Sequence, residues 1–295
     1  MKSVYSRCFL ILVFSAVFLT ASAQKSGIDP KLVSKANAGD AQAQTALGIA
    51  YAEGIAVPQD YAKAASWFQK AADRGDAQAE DHLDRLYETG SGVEQDASKA
   101  AVLYRRAADQ NLASAQVHLG LMYHHGIGVP ENAVVAAGWY RKAALQGVPE
   151  AEYNLGTMYE RGIGVPQDYA QAADLYRRAA EKGDADAQFN LGILYDNGTG
   201  VPKNYMAAAG WYEKAALQGL PRAQFNLGSM YANGQGTPVN LPEAYFWLAL
   251  SAKTWSGSRQ DQAEHARDLV AQHMSAEELE AAKQRVEKWL ADREK

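Results

Sequence analysis

The stretch "LGTMYERGIGVPQD", from Leu155 to Asp168, decides how the chain folds. It carries two glycines one residue apart, Gly162 and Gly164, ahead of a segment with helical periodicity. Such a sequence is either a glycine-rich cradle for a phosphate or a tight connection between two helices. A phosphate loop follows a strand and normally occurs once in a domain. What precedes this stretch, and how often it recurs in the chain, therefore distinguishes the two interpretations.

The stretch recurs every 36 residues, without an insertion or a deletion. Counted from six residues before each recurring leucine, the chain contains six units, and the sixth ends near Ser256. Numbering each unit from position 1, we find alanine at positions 3 and 24, tyrosine at 11 and glycine at 14 in all six. A sequence with this period predicts a stack of repeats rather than one or two globular domains. The units begin at Ala41, Ala77, Ala113, Pro149, Ala185 and Pro221.

Each unit has the pattern of a helical hairpin. Positions 3, 7, 10, 11 and 14 fall on one side of a first helix, and positions 24, 27, 28 and 31 on one side of a second. Asp168 and its equivalents stand where the second helix starts and Gly183 and its equivalents where it ends, as capping requires. Glycine at position 8, such as Gly156, allows the two helices to approach closely. The predicted fold is all-α: an α/α superhelical solenoid.

Both ends of the array carry further helical segments. Asp29 and Pro30 form the start of a short helix before the first unit. The last segment begins with a capping box of Ser275 and Glu278 and ends in charged residues. We therefore expect an N-terminal capping helix in residues 24–40, six repeats in 41–256 and C-terminal capping helices in 257–295.

The consensus of the units, "AxxxLGxMYxxGxGVPxDxxxAAxWYxKAAxxG", resembles the Sel1-like repeat, a relative of the tetratricopeptide repeat. The resemblance implies that the first helix of each unit lines the concave side. It also implies a protein that binds other macromolecules, often exported by bacteria and in some cases linked to host interaction. The second unit departs from the pattern, with Asp84 at position 8 and Glu94 in place of the loop proline. We expect a wider hairpin or a bend there.

Residues 1–23 are typical of a secretory signal peptide. Lys2 and Arg7 precede a largely apolar segment of thirteen residues from Cys8 to Thr20, which is too short to span a bilayer comfortably, and "ASA" follows as a cleavage site. We expect cleavage before Gln24 and export to the periplasm or beyond. Cys8 is the single cysteine, so the exported chain has neither a disulfide nor a thiolate metal site.

The charge balance narrows the class of partner. Removing Lys2 and Arg7 from a chain of net charge −5 leaves −7. This excess of acidic groups disfavours nucleic acid and anionic membrane surfaces as partners. We expect a protein or peptide partner, no membrane insertion after signal cleavage and no cofactor.

No motif indicates catalysis. The chain lacks G-x-S-x-G, H-E-x-x-H and a phosphate-loop lysine, and its repeated residues are explained by packing. Histidines at positions 82, 118 and 125 could be imagined as a metal site, but solvent-facing histidines are the simpler interpretation. We predict neither a catalytic nor a metal site.

Positions 5, 6 and 13 of the first helix point away from the packed side. In the last three repeats, position 5 is aromatic, position 6 is asparagine and position 13 is polar. Aromatic rings and amides suit recognition of an extended peptide, although both are also common in this repeat family as packing between repeats. The predicted partner-binding residues on the concave face are Tyr153, Asn154, Arg161, Phe189, Asn190, Asn197, Phe225, Asn226 and Asn233.

Two functions stay open. The first is an exported, non-enzymatic scaffold that holds a protein or peptide on its concave face, in envelope regulation or host interaction. The alternative is a cell-wall-associated protein that binds, or less readily cleaves, glycan or peptidoglycan. A mixed polar and aromatic groove favours the first, and an aromatic stripe with paired carboxylates favours the second.

Overall fold

The structure, a computed structural model, describes residues 27–293. Within that range it contains fifteen helices and no strand, and twelve of the helices pair into six successive hairpins. The all-α solenoid prediction is confirmed. The helices are α1 (Pro30–Asn37), α2 (Ala41–Glu53), α3 (Tyr61–Ala72), α4 (Ala77–Thr89), α5 (Ala97–Asp109), α6 (Ala113–His125), α7 (Ala133–Leu145), α8 (Pro149–Arg161), α9 (Tyr169–Glu181), α10 (Ala185–Asn197), α11 (Tyr205–Leu217), α12 (Pro221–Asn233), α13 (Leu241–Thr254), α14 (Ser258–Ala271) and α15 (Ala276–Ala291).

The stretch that follows Leu155 is the connection of a hairpin. Gly162 ends α8 in the left-handed conformation, at φ 68°, and its N–H donates to the carbonyl of Met158. The N–H of Asp168 donates to the carbonyl of Tyr159 at 3.0 Å, and the Asp168 carboxylate caps α9. The loop thus satisfies these backbone groups internally, as a helix-to-helix turn does.

The second glycine of the loop packs one repeat against the next. Gly164 has φ 68°, and a Cβ on it would lie 2.3 Å from the carbonyl oxygen of Ala133, at the start of the preceding repeat's second helix. Four other repeats show the same close approach. In the first repeat only the short helix α1 precedes the hairpin, and there the position is held by Ala56.

The core lies between the two helices of each hairpin and continues between hairpins. Alanines at positions 3 and 24 are buried, as is the large side chain at position 28. The glycine at position 8 leaves room for that side chain: a Cβ on Gly192 would lie 2.6 Å from the ring of Tyr212. Small residues on one helix thus accommodate the rings of the other. The position-28 residues are Phe68, Tyr104, Tyr140, Tyr176, Tyr212 and Leu248.

A buried polar side chain at position 4 joins each hairpin to the element before it. Where position 4 is glutamine, its Nε2 donates to a carbonyl at the end of the preceding second helix, as Gln188 does to Ala180 at 3.0 Å. Where position 4 is glutamate, which has no amide, an arginine from position 30 donates instead. The position-4 residues are Gln44, Glu80, Gln116, Glu152, Gln188 and Gln224, all at most 5 % exposed.

The ends of the array are capped by helices. Asp29 caps α1, and Ser275 and Glu278 form the expected capping box of α15. Val286 of α15 is buried against the core formed by the sixth repeat. The predicted signal peptide, residues 1–23, lies outside the residues that the structure describes.

The second repeat keeps its hairpin despite Asp84. The helices α4 and α5 pack together, and Tyr104 of α5 is fully buried. The Asp84 carboxylate is itself fully buried, and neither of its oxygens has a partner with hydrogen-bond geometry. The hairpin therefore accommodates aspartate in place of glycine by burying its carboxylate between the helices.

Candidate functional site

Six positions of each first helix lie on the side opposite the packed positions 3, 7, 11 and 14. We call the residues at positions 2, 5, 6, 9, 12 and 13 of α8, α10 and α12 the first-helix surface. Arg161, Asn197 and Asn233, at position 13, are exposed. These three hydrogen-bonding side chains succeed one another at intervals of one repeat.

The predicted aromatic positions differ in accessibility. Tyr153 and Phe225 are half-buried, and the Phe225 ring lies 5.7 Å from that of Trp255. Phe189 is only 8 % exposed, because the guanidinium of Arg222 lies over its ring at 4.4 Å and the ring of Tyr212 packs at 5.6 Å. Tyr153 and Phe225 thus present ring surface to solvent, whereas Phe189 belongs mainly to the core.

Arg222 forms an ion pair with Asp186 on the first-helix surface. Burial and the Asp186 carboxylate raise the pKa of the Tyr153 hydroxyl, and Arg222 opposes that rise. The Nε atom of Arg222 is buried and has no hydrogen-bond partner. This cluster was not predicted from the sequence. Position 2 is charged in three successive repeats, as Glu150, Asp186 and Arg222, and the opposite charges of the last two indicated an ion pair between neighbouring repeats.

The asparagines at position 6 have neighbours within the fold. The amides of Asn190 and Asn226 lie near the hydroxyls of Tyr176 and Tyr212, the position-28 tyrosines of the preceding repeats, and oppose the rise in the pKa of those hydroxyls. These two amides therefore take part in packing between repeats while remaining half-buried. Asn154 is half-buried as well.

Two carboxylates near the asparagines accept hydrogen bonds from tyrosines. Tyr176 donates to Glu160 at 2.6 Å, and Tyr212 donates to Asp196 at 3.4 Å. Burial, and then the bond to Glu160, raise the pKa of Tyr176 well above its ordinary value. In these repeats the carboxylate at position 12 therefore links the first helix of the hairpin to the second.

The histidines of the second and third repeats pack on rings. His82 stacks on Phe68 and His118 on Tyr104, each at a centroid distance of 4.9 Å. Burial lowers the pKa of His82. Across residues 27–293, no three His, Cys, Asp or Glu side chains are grouped so that they could hold a metal ion.

The repeated hairpins have counterparts in known proteins. A scan against protein-family models matches the Sel1 repeat at residues 41–76, 85–112, 113–148, 149–184, 185–220 and 221–253. The chain belongs to the Sel1 repeat family. The one stretch missing between successive matches, residues 77–84, ends at the atypical Asp84.

The chain is also similar to proteins of known structure, and the first of these matches agrees with the family assignment. A Sel1 repeat protein from Oxalobacter formigenes is 38 % identical, with a TM-score of 0.69, and the match covers 79 % of this chain and 68 % of that one. An immunity protein from Pseudomonas aeruginosa is 24 % identical over 85 % of this chain and 88 % of its own, with a TM-score of 0.42. A search of curated protein sequences finds no match.

Family membership gives the general role. The Sel1 repeat fold is a scaffold for protein–protein interaction, and its members are generally non-catalytic. In the part of the chain that the structure describes, no helix combines the length and apolar character that crossing a membrane requires.

Proposed function

We propose that this protein is an exported, non-enzymatic scaffold whose first-helix surface binds an extended segment of a protein partner. One observation carries the proposal. The half-buried rings of Tyr153 and Phe225 share the first-helix surface with three exposed hydrogen-bonding side chains, Arg161, Asn197 and Asn233, that repeat at the period of the solenoid.

This arrangement suits a peptide backbone. Amides both donate and accept hydrogen bonds, so they pair with the N–H and C=O groups of an extended chain. Tyrosine and phenylalanine add contact area while few rotatable bonds are fixed, which favours them at interaction hot spots. The amides of the first helices would thus fix the register of the bound peptide, and the rings would contribute most of its affinity.

The same surface gives less support to the glycan alternative. Cleavage of a glycosidic bond uses two free carboxyl groups on opposite sides of the bond. Glu160 and Asp196, the position-12 acids of repeats 4 and 5, accept hydrogen bonds from buried tyrosines instead. A mixed polar and aromatic surface therefore favours protein binding.

Export is part of the proposal and rests on the sequence of residues 1–23. Their basic start, thirteen-residue apolar segment and small-residue site fit removal by a signal peptidase before Gln24. The scaffold would then act in the periplasm or outside the cell, in envelope regulation or host interaction.

Site-specific photo-crosslinking in the protein's own cells tests both parts. A photoreactive amino acid is placed at Asn197 or Asn233 on the first-helix surface, and at Met206, on the second helix α11, as a matched exposed control. We expect one discrete adduct from the two asparagine positions and none from Met206, on a protein whose N-terminus is Gln24. Identical adducts from all three positions would contradict the binding surface, and an intact Met1 would contradict export.

A further inference from the structure

A cleft of about 450 Å³ opens between the second helices of the first two repeats, α3 and α5. Its apolar walls come from Tyr87, Val102 and Leu103. Leu103 is buried, whereas Val102 is 61 % exposed and stands at the rim. The polar lining consists of Gln69, Asp96, Ser98 and Lys99.

The other repeats show what normally occupies this place. Leu103 stands at position 27, where repeats 1, 3, 5 and 6 carry tryptophan. In repeat 3, Trp139 is 5 % exposed and belongs to a core cluster that Tyr87 also contacts. Lys142 and Arg105 lie 3.8 Å and 5.4 Å from the centre of its ring. The groove between successive second helices is thus a site for an indole ring.

Repeat 4 also lacks the tryptophan but closes the groove in another way. There Leu175 stands at position 27, and Arg141 of the preceding repeat reaches across to the hydroxyl of Tyr159 at 3.2 Å. The equivalent of Arg141 beside the cleft is Gln69, which is shorter and donates to Asp73 on its own helix at 2.7 Å. The groove of repeat 2 therefore has neither the tryptophan nor the arginine.

Cations are also placed differently at the cleft. Arg106, the equivalent of Lys142, turns away to pair with the buried Glu80 at 2.7 Å. Lys99 remains at the rim, 5.5 Å from the centre of the Tyr87 ring and paired with Asp96. An aromatic ring entering the cleft would meet apolar walls and one ammonium group, a favourable combination for a ring face.

We propose that this cleft binds a tryptophan side chain of a protein partner. The occupant follows from the chain itself, since the same backbone positions hold an indole in repeat 3. The volume is sufficient, because an apolar cavity of about 150 Å³ already binds benzene. The site lies on the second helices of repeats 1 and 2, apart from the first-helix surface of repeats 4 to 6, so it does not rest on the proposed function.

The test uses N-acetyltryptophanamide as probe and the amide resonances of the ¹⁵N-labelled full chain as readout. Weak, saturable binding is expected, with the shifts concentrated on residues 96–103 of the α5 region and on Gln69. N-acetylleucinamide should bind at least tenfold more weakly. Equal binding of the two probes, or shifts spread over all repeats, would overturn the proposal.

Two variants close the cleft as other repeats do. L103W copies repeat 3 and Q69R copies repeat 4, and each should weaken binding of the tryptophan probe at least tenfold. L175W in repeat 4 is the matched control and should leave binding unchanged. If either folded cleft variant, checked by its circular dichroism spectrum, binds the probe as tightly as the wild type, the site is not this cleft.

Discussion

At the scale of single residues, Asp84 is the least expected side chain of the molecule. It occupies position 8 of the second repeat, where the other five repeats carry glycine against the second helix. Burial raises the pKa of its carboxyl group well above the ordinary value, and the nearby acids Asp81 and Glu88 on the same helix add to the rise. The Tyr104 hydroxyl on α5 lowers the pKa of Asp84, although its hydrogen bond goes to Glu88, at 3.2 Å.

We predict that D84G stabilises the protein at neutral pH, by about 1–3 kcal/mol, because a buried carboxylate without a partner is costly. Since the folded protein binds this proton more tightly than the unfolded chain, the wild type loses stability as the pH rises from about 4 through the raised pKa. The advantage of D84G should therefore grow from pH 4 to pH 7. Urea unfolding followed by circular dichroism at several pH values measures it.

D84N is the matched control, because it keeps the size of the side chain and removes the charge. Its advantage over the wild type should grow with pH in the same sense as that of D84G. An advantage of D84G that is flat across this range would show that the carboxylate at position 84 is not the titrating group.

At the scale of helices, the structure shows two kinds of hairpin. Repeats 2 and 4 combine glutamate at position 4, leucine at 27 and arginine at 30, and repeats 1, 3 and 5 combine glutamine, tryptophan and lysine. In repeat 4, Arg178 contacts Glu152 at 2.7 Å and the carbonyl of Ala144 at 2.7 Å. In repeat 3, Gln116 supplies the equivalent backbone bond, to Ala108, and Lys142 lies over Trp139 instead.

The residues of each set depend on one another. Replacing one of them should therefore lower the free energy of unfolding more than replacing the whole set by that of another repeat. E152Q alone leaves Arg178 and Lys182 without their carboxylate, and we expect a loss of about 1–3 kcal/mol in the free energy of unfolding. The variant E152Q/L175W/R178K/K182Q copies repeat 3 and should return to within about 1 kcal/mol of the wild type. Urea unfolding measures the stability of both variants. If the fourfold variant loses the sum of the losses of the single substitutions, the residues are not coupled.

The hairpins and their caps follow from the sequence because they depend on local spacing. Asp168 at the start of α9, Gly183 beyond its end and Pro149 at the start of α8 have the predicted roles. The link between positions 4 and 30 was not predicted, because it joins two helices of one hairpin through side chains 26 residues apart. Its visible signs were the glutamates at position 4 of repeats 2 and 4 and the shared "LYRRAA" from Leu103 and Leu175.

At the scale of the whole molecule, each repeat contacts mainly its neighbours, as in other solenoids. This makes the fold predictable from the period alone. The proposed binding surface is less predictable, because spacing shows which side of a helix faces outward but not which neighbour covers it. Phe189 was predicted as an exposed contact, and the structure places Arg222 over it, a residue from the next repeat.

The affinity of peptides for the protein tests whether the first-helix surface binds an extended peptide. Peptides are selected from a displayed random library on the wild-type protein, and their affinities are then measured for Y153A/F225A and for the outward-facing control V134A/L145A. We expect the first variant to bind at least tenfold more weakly, with unchanged helical content, and the control to bind as the wild type does. Equal affinity of all three proteins would contradict this expectation.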